Sequence, residues 1–337
     1  MFIKISEILR KKINIITLNK LKNIEKKNKF YKKKKLLNYS NFILFNNGYN
    51  NYNRNIYFSY IKKNFFNIKI PLLEYNCKID KIISSIKSTI FDKIYIFLEK
   101  TIENFIIRIQ TIKFDYEEVT IPLLINYSNL LYSGQIPNFY NNLFKIDNRN
   151  SFLIPTSEVI LNSLSFFIKK FSFPIKLICN SYCFRKEIGK MGSDNLGLKR
   201  QHQFKKIEIF QYFNKKESFE RFYSIACNIL YILKLLKLKP RIIKLHNYEL
   251  NFNSFLSFDF EIWDIVNNTW IEISSLSLCL NKPFNIYLKK INAYLINASC
   301  LPLGRIIFII FLYYRINNNF IKVPKILNKN LTDLLKW

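Results

Sequence analysis

The stretch that most restricts what this chain can fold into runs from Cys183 to Glu208, CFRKEIGKMGSDNLGLKRQHQFKKIE. The chain has only 6 glycines, and Gly189, Gly192 and Gly197 all fall inside this span. Arginine is scarce beside lysine, yet Arg185 and Arg200 bracket the same glycines. Glycine suits a tight or reversing turn, and arginine presents a rigid fork that fits carboxylate or phosphate. Ile175 to Phe184 is rich in apolar and β-branched residues, and Ile207 to Tyr212 alternates. The stretch therefore predicts a hairpin with a long glycine-bearing loop, with one arginine at the end of the first strand and one at the start of the second. On these residues alone, a surface hairpin with solvated arginines is an equal reading.

The rest of the composition narrows the class. A length of 337 residues with 49% hydrophobic residues suits two domains, or one large domain with an appendage. The formal net charge of +30 points to a polyanionic partner, most simply nucleic acid. That inference is discounted by the saturation in Lys, Asn, Ile, Phe and Tyr, the mark of an AT-biased coding sequence. Cys77, Cys179, Cys183, Cys227, Cys279 and Cys300 form no CxxC pair, and only His202 and His246 could add imidazole ligands. This excludes a zinc site as the leading reading and indicates buried, reduced thiols. The longest apolar run, Ile306 to Tyr314, is too short to span a membrane. The expected location is cytoplasmic, with an organelle matrix as the alternative.

Residues 1 to about 40 predict basic helices ending in Lys32-Lys33-Lys34-Lys35, either a solvated tail or a nucleic-acid contact arm. Residues 41–69 read as loop and short strands. Helical spacing follows from Asp92 to Lys113, and Pro122 marks a strand edge or end. A helix is expected from Glu217 to Leu238. Strands are expected at Phe258–Ile265 and Thr269–Leu278, joined by Asn267-Asn268, and an apolar helix opens at Leu303-Gly304-Arg305. Runs of antiparallel strands with a few helices predict an α+β fold. A GxGxxG after a strand and a GxxxxGK[ST] are both missing, so a Rossmann unit or P-loop is not indicated.

Several constellations carry chemistry before any family is considered. Arg185 and Arg305, if they converge, would clamp a polyphosphate. Glu272, Ile273, Ser274 and Ser275 lie on one strand; Glu272 and Ser274 face one way and Ser275 the other, unless the strand bends. Carboxylate and hydroxyl oxygens suit Mg²⁺ shared with phosphate. Phe204 could stack on a base, and Thr156 with Glu158 could hold an ammonium group. Taken singly, each of these is weak.

Taken in order, the stretches resemble the seryl-tRNA synthetase family of class II aminoacyl-tRNA synthetases. They are Phe114–Pro122 (motif 1), Tyr132–Pro137 with Leu143-Phe144, Pro155–Val159, Cys183–Glu208 (motif 2), Phe258–Trp263, Glu272–Ser275 and Asn297–Arg305 (motif 3). The match covers about residues 85–325. The resemblance implies a class II catalytic domain over 85–337 and a reduced, basic tRNA-binding region over 1–84. It implies ATP and Mg²⁺ as cofactors, L-serine and serine tRNA as partners, and a homodimer built through motif 1. Residue by residue, it implies that Arg185 contacts the ATP α-phosphate, Glu187 reads the adenine amino group, and Phe204 stacks on adenine. Arg305 lies beyond the ring toward the γ-phosphate. Lys186, Ile273 and Ser274 belong to the same ATP-binding motifs. Glu272 and Ser275 hold the metal. Thr156 and Glu158, with Ser157 between them and Arg185 nearby, take the serine ammonium, and Glu208 and Ser299 read its side chain.

Departures from the family pattern fall at Ser157, Leu278, Ala298, Cys300, Lys289 and Lys290. They raise the expectation of a reshaped serine pocket and a slower or less selective enzyme. Too few residues precede the catalytic region for the family's coiled-coil arm, and no sustained heptads occur, so a stunted basic arm is expected. Two other outputs fit some of these residues: a related ligase that loads a carrier protein, and a catalytically dead RNA-binding paralogue. Intact Arg185, Glu272 and Arg305 argue against the second.

Overall fold

The computed structural model describes residues 45–46, 65–66, 87–91, 93–146, 149–164, 173–188, 197–251, 253–279, 293–317, 320–321 and 323–327. The chain divides into two compact units, Met1–Asn46 and Asn47–Trp337. In the first, only the strand Phe45–Asn46 is described. The expected basic helices of residues 1–40 lie outside the described residues, as do Lys289, Lys290, Gly189 and Gly192. The second unit includes the short strand Phe65–Phe66, paired with Val323–Pro324.

The second unit is α+β. Its described elements are α1 (Lys93–Arg108), β1 (Glu117–Glu118), β2 (Leu124–Asn126), α2 (Tyr127–Tyr132), β3 (Ser151–Leu153) and α3 (Glu158–Ser163). They continue with β4 (Ile175–Phe184), β5 (Gln203–Asn214), α4 (Ser218–Leu235), β6 (Arg241–Lys244) and β7 (Ser254–Asp264). The last are β8 (Thr269–Cys279), β9 (Ala293–Pro302) and α5 (Leu303–Tyr314). The strands order as β6-β7-β8-β9-β5-β4-β1. All neighbours are antiparallel except β1, which runs parallel to β4 at the edge. Pro122 follows that edge strand, where a missing amide costs no ladder bond.

The pleat sorts the sheet into two chemically different faces. Phe258, Leu276, Ala298 and Ile209 are consecutive cross-strand partners, all buried. Phe222 of α4 packs on this face, its ring 4.8 Å from that of Phe258. The opposite face carries Ser257, Ser277 and Asn297 in one row. Glu208 and Ser299 face each other in the next row. Polar side chains on the interior of a sheet require partners, and the site provides them.

Two bulges break the register at one end of the sheet. On β8 the pairing shifts between Glu272 and Ser274, and on β9 between Ser299 and Leu301. A bulge inserts one residue and reverses the facing of the strand beyond it. Here Glu272 pairs with Glu261 and Ser275 with Asp259. Glu261 and Asp259 are two apart on β7, so Glu272 and Ser275 share a face. The bend that the sequence left open is real, and Ile273 is its extra residue. The serine hydroxyl of Ser274 bonds the carbonyl of Ser299, joining the two irregular points.

The same facing corrects one expectation. Leu278 pairs with Ile296, which pairs with Gln211; Gln211 bonds the Tyr116 hydroxyl at 2.6 Å on the helix-covered face. Ala298 lies on that face too. Cys300, extra at the second bulge, accepts from Gln110 Nε2 at 3.3 Å. These three positions therefore fill the core beneath the sheet, on the face opposite Glu208 and Ser299, where they are not placed to reshape a pocket built on that face.

Candidate active site

The hairpin expected from the glycine-bearing stretch is β4–β5, with Cys183 opposite Phe204 and Cys179 opposite Glu208. Arg185 leaves the end of β4. Its amide donates to the His202 carbonyl at 2.9 Å, and its Nε donates to the Pro155 carbonyl at 3.0 Å. The guanidinium carbon sits 5.4 Å from the centre of the Phe204 ring, within cation–π range. Arginine and aromatic thus share one wall.

Arg305, in the first turn of α5, reaches the same connecting segment. Its Nε donates to the Lys199 carbonyl at 3.1 Å and its Nη1 to the Glu272 carbonyl at 2.9 Å. The Glu272 carboxylate is 3.8 Å away. Both arginines are therefore anchored to residues 199–202. That segment is itself pinned: Lys199 pairs with fully buried Asp264 at 2.8 Å. Gly304 leaves room for it, since a Cβ there would lie 3.2 Å from the Leu198 carbonyl oxygen.

Glu187 is buried and sits at φ +52°, a left-handed conformation uncommon for a residue with a Cβ. Lys87 Nζ holds its carbonyl at 2.6 Å, and Arg200 grips its carboxylate. Lys186 beside it is exposed, 5.9 Å from the Phe144 ring. Arg200 appeared in the sequence only as a flank of the glycines; its partner is Glu187.

The densest polar cluster surrounds Glu208, which is 3% exposed. Thr156 Oγ1 lies 2.7 and 2.6 Å from its two oxygens. Ser157, wholly buried, donates its hydroxyl to Oε2, and the Glu158 amide donates at 3.1 Å. Lys206, 6% exposed, pairs with Oε1 and also donates to Thr156 Oγ1 at 3.2 Å. These donors hold the Glu208 carboxyl below its usual range against the cost of burial. Glu158 behaves in the opposite way: burial, then the Glu208 charge, push it up to about 7. Ser299 stands directly across from Glu208. Lys206 carried no role in the sequence reading, although the alternation Phe204, Lys206, Glu208 placed it on the site face.

On the neighbouring strands Glu272, Ser275 and Asp259 share that face. Ser275 is the cross-strand partner of Asp259, whose Oδ1 is buried without a hydrogen-bond partner. Burial, then the Glu272 charge, raise the Asp259 carboxyl to about 7. Among the described residues, no group of three or more His, Cys, Asp or Glu is placed to hold a metal by itself. The donor set is all oxygen, and an orphaned carboxylate oxygen lies beside it. That fits a hard cation such as Mg²⁺, which takes one or two carboxylates and completes its shell with water and phosphate.

Comparison with known proteins assigns the fold to a family. Residues 142–313 fit the family described as tRNA synthetase class II core domain (G, H, P, S and T). The serine–tRNA ligase of Ehrlichia ruminantium (strain Gardel) is 34% identical over 257 residues, covering 71% of this chain and 60% of the relative. That of Clostridium kluyveri (strain ATCC 8527) is 30% identical over 241 residues, covering 68% and 57%. The chain thus spans about three fifths of the length of these relatives. The seryl-tRNA synthetase of Pyrococcus horikoshii complexed with ATP superposes with a TM-score of 0.69 at 21% identity, covering 77% of this chain and 60% of that one. The cytoplasmic serine–tRNA ligase of Naegleria fowleri in complex with AMP gives 0.69 at 22%, covering 76% and 63%. The matched residues 142–313 are more than half of the 337, and the chain belongs to the class II tRNA synthetase core family.

Proposed function

We propose that the protein is a serine–tRNA ligase, which activates L-serine with ATP and passes it to the 3′ end of serine tRNA. The observation that carries this reading is the buried polar cluster centred on Glu208. It is a buried, ionised acceptor ringed by hydroxyls, with a second carboxyl, Glu158, beside it and Arg185 within electrostatic reach. Such a pocket suits a small zwitterion with a hydroxyl side chain. Alanine brings no hydroxyl to that acceptor and would lose affinity. The similarity to serine–tRNA ligases supports the same substrate.

In this reading the serine carboxylate attacks the α-phosphorus in line, releasing pyrophosphate and forming seryl-adenylate. Arg185 neutralises charge at the α-phosphate, and Arg305 does so at the far end of the triphosphate. Phe204 and Glu187 receive the adenine. Glu272 and Ser275 would hold Mg²⁺, which supplies charge neutralisation when bound. Thr156 and Glu158 take the ammonium, and Glu208 and Ser299 the hydroxymethyl group. No side chain acts as nucleophile; positioning and preorganised charge supply the catalysis.

Residues 85–337 form the catalytic part in this reading, and residues 1–84 the tRNA-binding part. Two copies assemble through motif 1, which is flanked by Ile112, Leu123 and Leu124 at 76%, 36% and 46% exposure. Among the described residues no helix is long and apolar enough to cross a membrane. The test is charging of a serine tRNA transcript with labelled serine, with and without its long variable arm. Acid-precipitable label on the tRNA is expected. Label appearing on a carrier protein instead would replace this reading with the carrier-loading one.

A further inference from the structure

The Glu208 carboxylate is full. A carboxylate offers about four lone-pair sites, and Lys206, Thr156, Ser157 and the Glu158 amide already point at them. Thr156 and Ser157 are short side chains at the entry to α3, and the Glu158 donor is backbone; none can move far. Lys206 differs. It is a long, flexible cation almost wholly enclosed, and lysine is rarely buried without a compelling partner. Among the described residues, the groups facing this cluster are Glu158 from α3, Arg185 beyond β4, Cys179 and Cys183 on β4, and Asn297 and Ser299 on β9. Lys206 and Arg185 are the cations of this set, and Arg185 is engaged by the Pro155 carbonyl and the Phe204 face.

We propose that Lys206 is the internal counter-ion of the amino-acid pocket, a positioning residue that keeps Glu208 ionised and oriented as the acceptor for the substrate's side-chain hydroxyl. Two carboxyls this close in a buried site cannot both stay charged without a fixed cation. With Lys206 in place, Glu208 holds its charge and Glu158 remains the group that titrates. Without it, the pair retains a proton at neutral pH, and the substrate ammonium and hydroxyl meet a weaker acceptor. Because Lys206 Nζ already touches both Glu208 Oε1 and Thr156 Oγ1, it can lean toward Thr156 and free a lone pair for a substrate hydroxyl while remaining beside the carboxylate. Selectivity for a hydroxylated amino acid therefore depends on a residue that need not touch the phosphates.

This inference rests on the amino-acid-activating reading, and its test separates the two. ATP–pyrophosphate exchange is measured for the wild type with serine, threonine, alanine and glycine. Lys206→Met, Lys206→Gln and Lys206→Arg are then measured with whichever amino acid the wild type activates. Lys206→Met and Lys206→Gln should raise the KM for that amino acid at least about tenfold, leave the KM for ATP within about twofold, and move the acid limb of kcat/KM up by about one pH unit. Lys206→Arg should keep the limb near its wild-type position. Gln keeps a donor without the charge, so it also answers if the Met variant does not fold. An infrared titration of buried carboxyls, which needs no activity, should show one more protonated carboxyl at neutral pH in the Met and Gln variants. An equal loss toward ATP and amino acid, or an unmoved limb and unchanged carboxyl signal, overturns the role of Lys206. Activation of an amino acid other than serine overturns the seryl reading alone.

Discussion

Glu158 and Glu208 show how one pocket gives two like residues different duties. Glu208 has its negative charge satisfied by a lysine, two hydroxyls and an amide. Glu158 has burial and its neighbour's charge working against ionisation, and its carboxyl rises to about 7. Binding a substrate ammonium requires the ionised form. Since the raised group is neutral below about 7 and charged above it, kcat/KM for serine should climb as pH rises through that value. Below it, the loss should approach about tenfold per pH unit. Glu158→Gln should flatten the profile and lower activity throughout. A wild-type profile level from about pH 5.5 to about pH 8 would contradict the assignment. At this scale the sequence was legible wherever a residue type and its chemistry coincide: Arg185, Thr156 and Glu158 were read from it, Glu208 was implied by the family resemblance, and the structure brings Thr156 and the Glu158 amide onto Glu208. Lys206 was not, because a lysine in a chain with 53 basic residues carries no signal until its burial is known.

The elements were read more reliably than the way their residues face. The strand Ile175–Phe184 and the turn at Asn267-Asn268 fall where the pattern put them, and the helix expected at Glu217–Leu238 runs from Ser218 to Leu235. What periodicity could not supply was the pair of bulges. A one-residue insertion decides whether Glu272 and Ser275 share a face and whether Leu278, Ala298 and Cys300 line the pocket or the core. No local sequence signal marks Ile273 as the extra residue. The contact between α5 and the segment before β5 also became visible only in the fold. Gly304→Ala would press a Cβ to 3.0 Å from Gln201 Oε1 and 3.2 Å from the Leu198 carbonyl, and a backbone oxygen cannot rotate away. The variant should lose about 1–3 kcal/mol of stability, and the displaced Lys199 carbonyl should release Arg305 and raise the KM for ATP. Denaturant unfolding together with exchange kinetics checks both. A Gly304→Ala protein with wild-type stability and ATP dependence would show that the contact is loose.

At the scale of the whole molecule, charge and surface set the expectations. With a net charge of +30, a serine–tRNA ligase of this sequence should draw on phosphate attraction to hold its tRNA. Charging efficiency should then fall by a factor of at least about ten between about 50 and about 200 mM salt, because bound counterions are released on association. Little loss over that range would mean that shape recognition persists. The exposed apolar residues flanking motif 1, Ile112, Leu123 and Leu124, together with its edge strand, should be covered in a twofold assembly. Light scattering at micromolar concentration should give twice the chain mass of 40.6 kDa. A monomer would leave that surface without its expected partner.

The central claim is that a hydroxyl-lined carboxylate pocket and a pair of phosphate-facing arginines act on one bound pair of substrates. Amino-acid-dependent ATP–pyrophosphate exchange by the full chain, measured with serine and alanine side by side, tests it most directly. The account predicts exchange with serine, at least about a hundredfold less with alanine, and loss of the serine signal in Arg185→Ala. Equal exchange with both amino acids, or undiminished exchange after removal of Arg185, would contradict it.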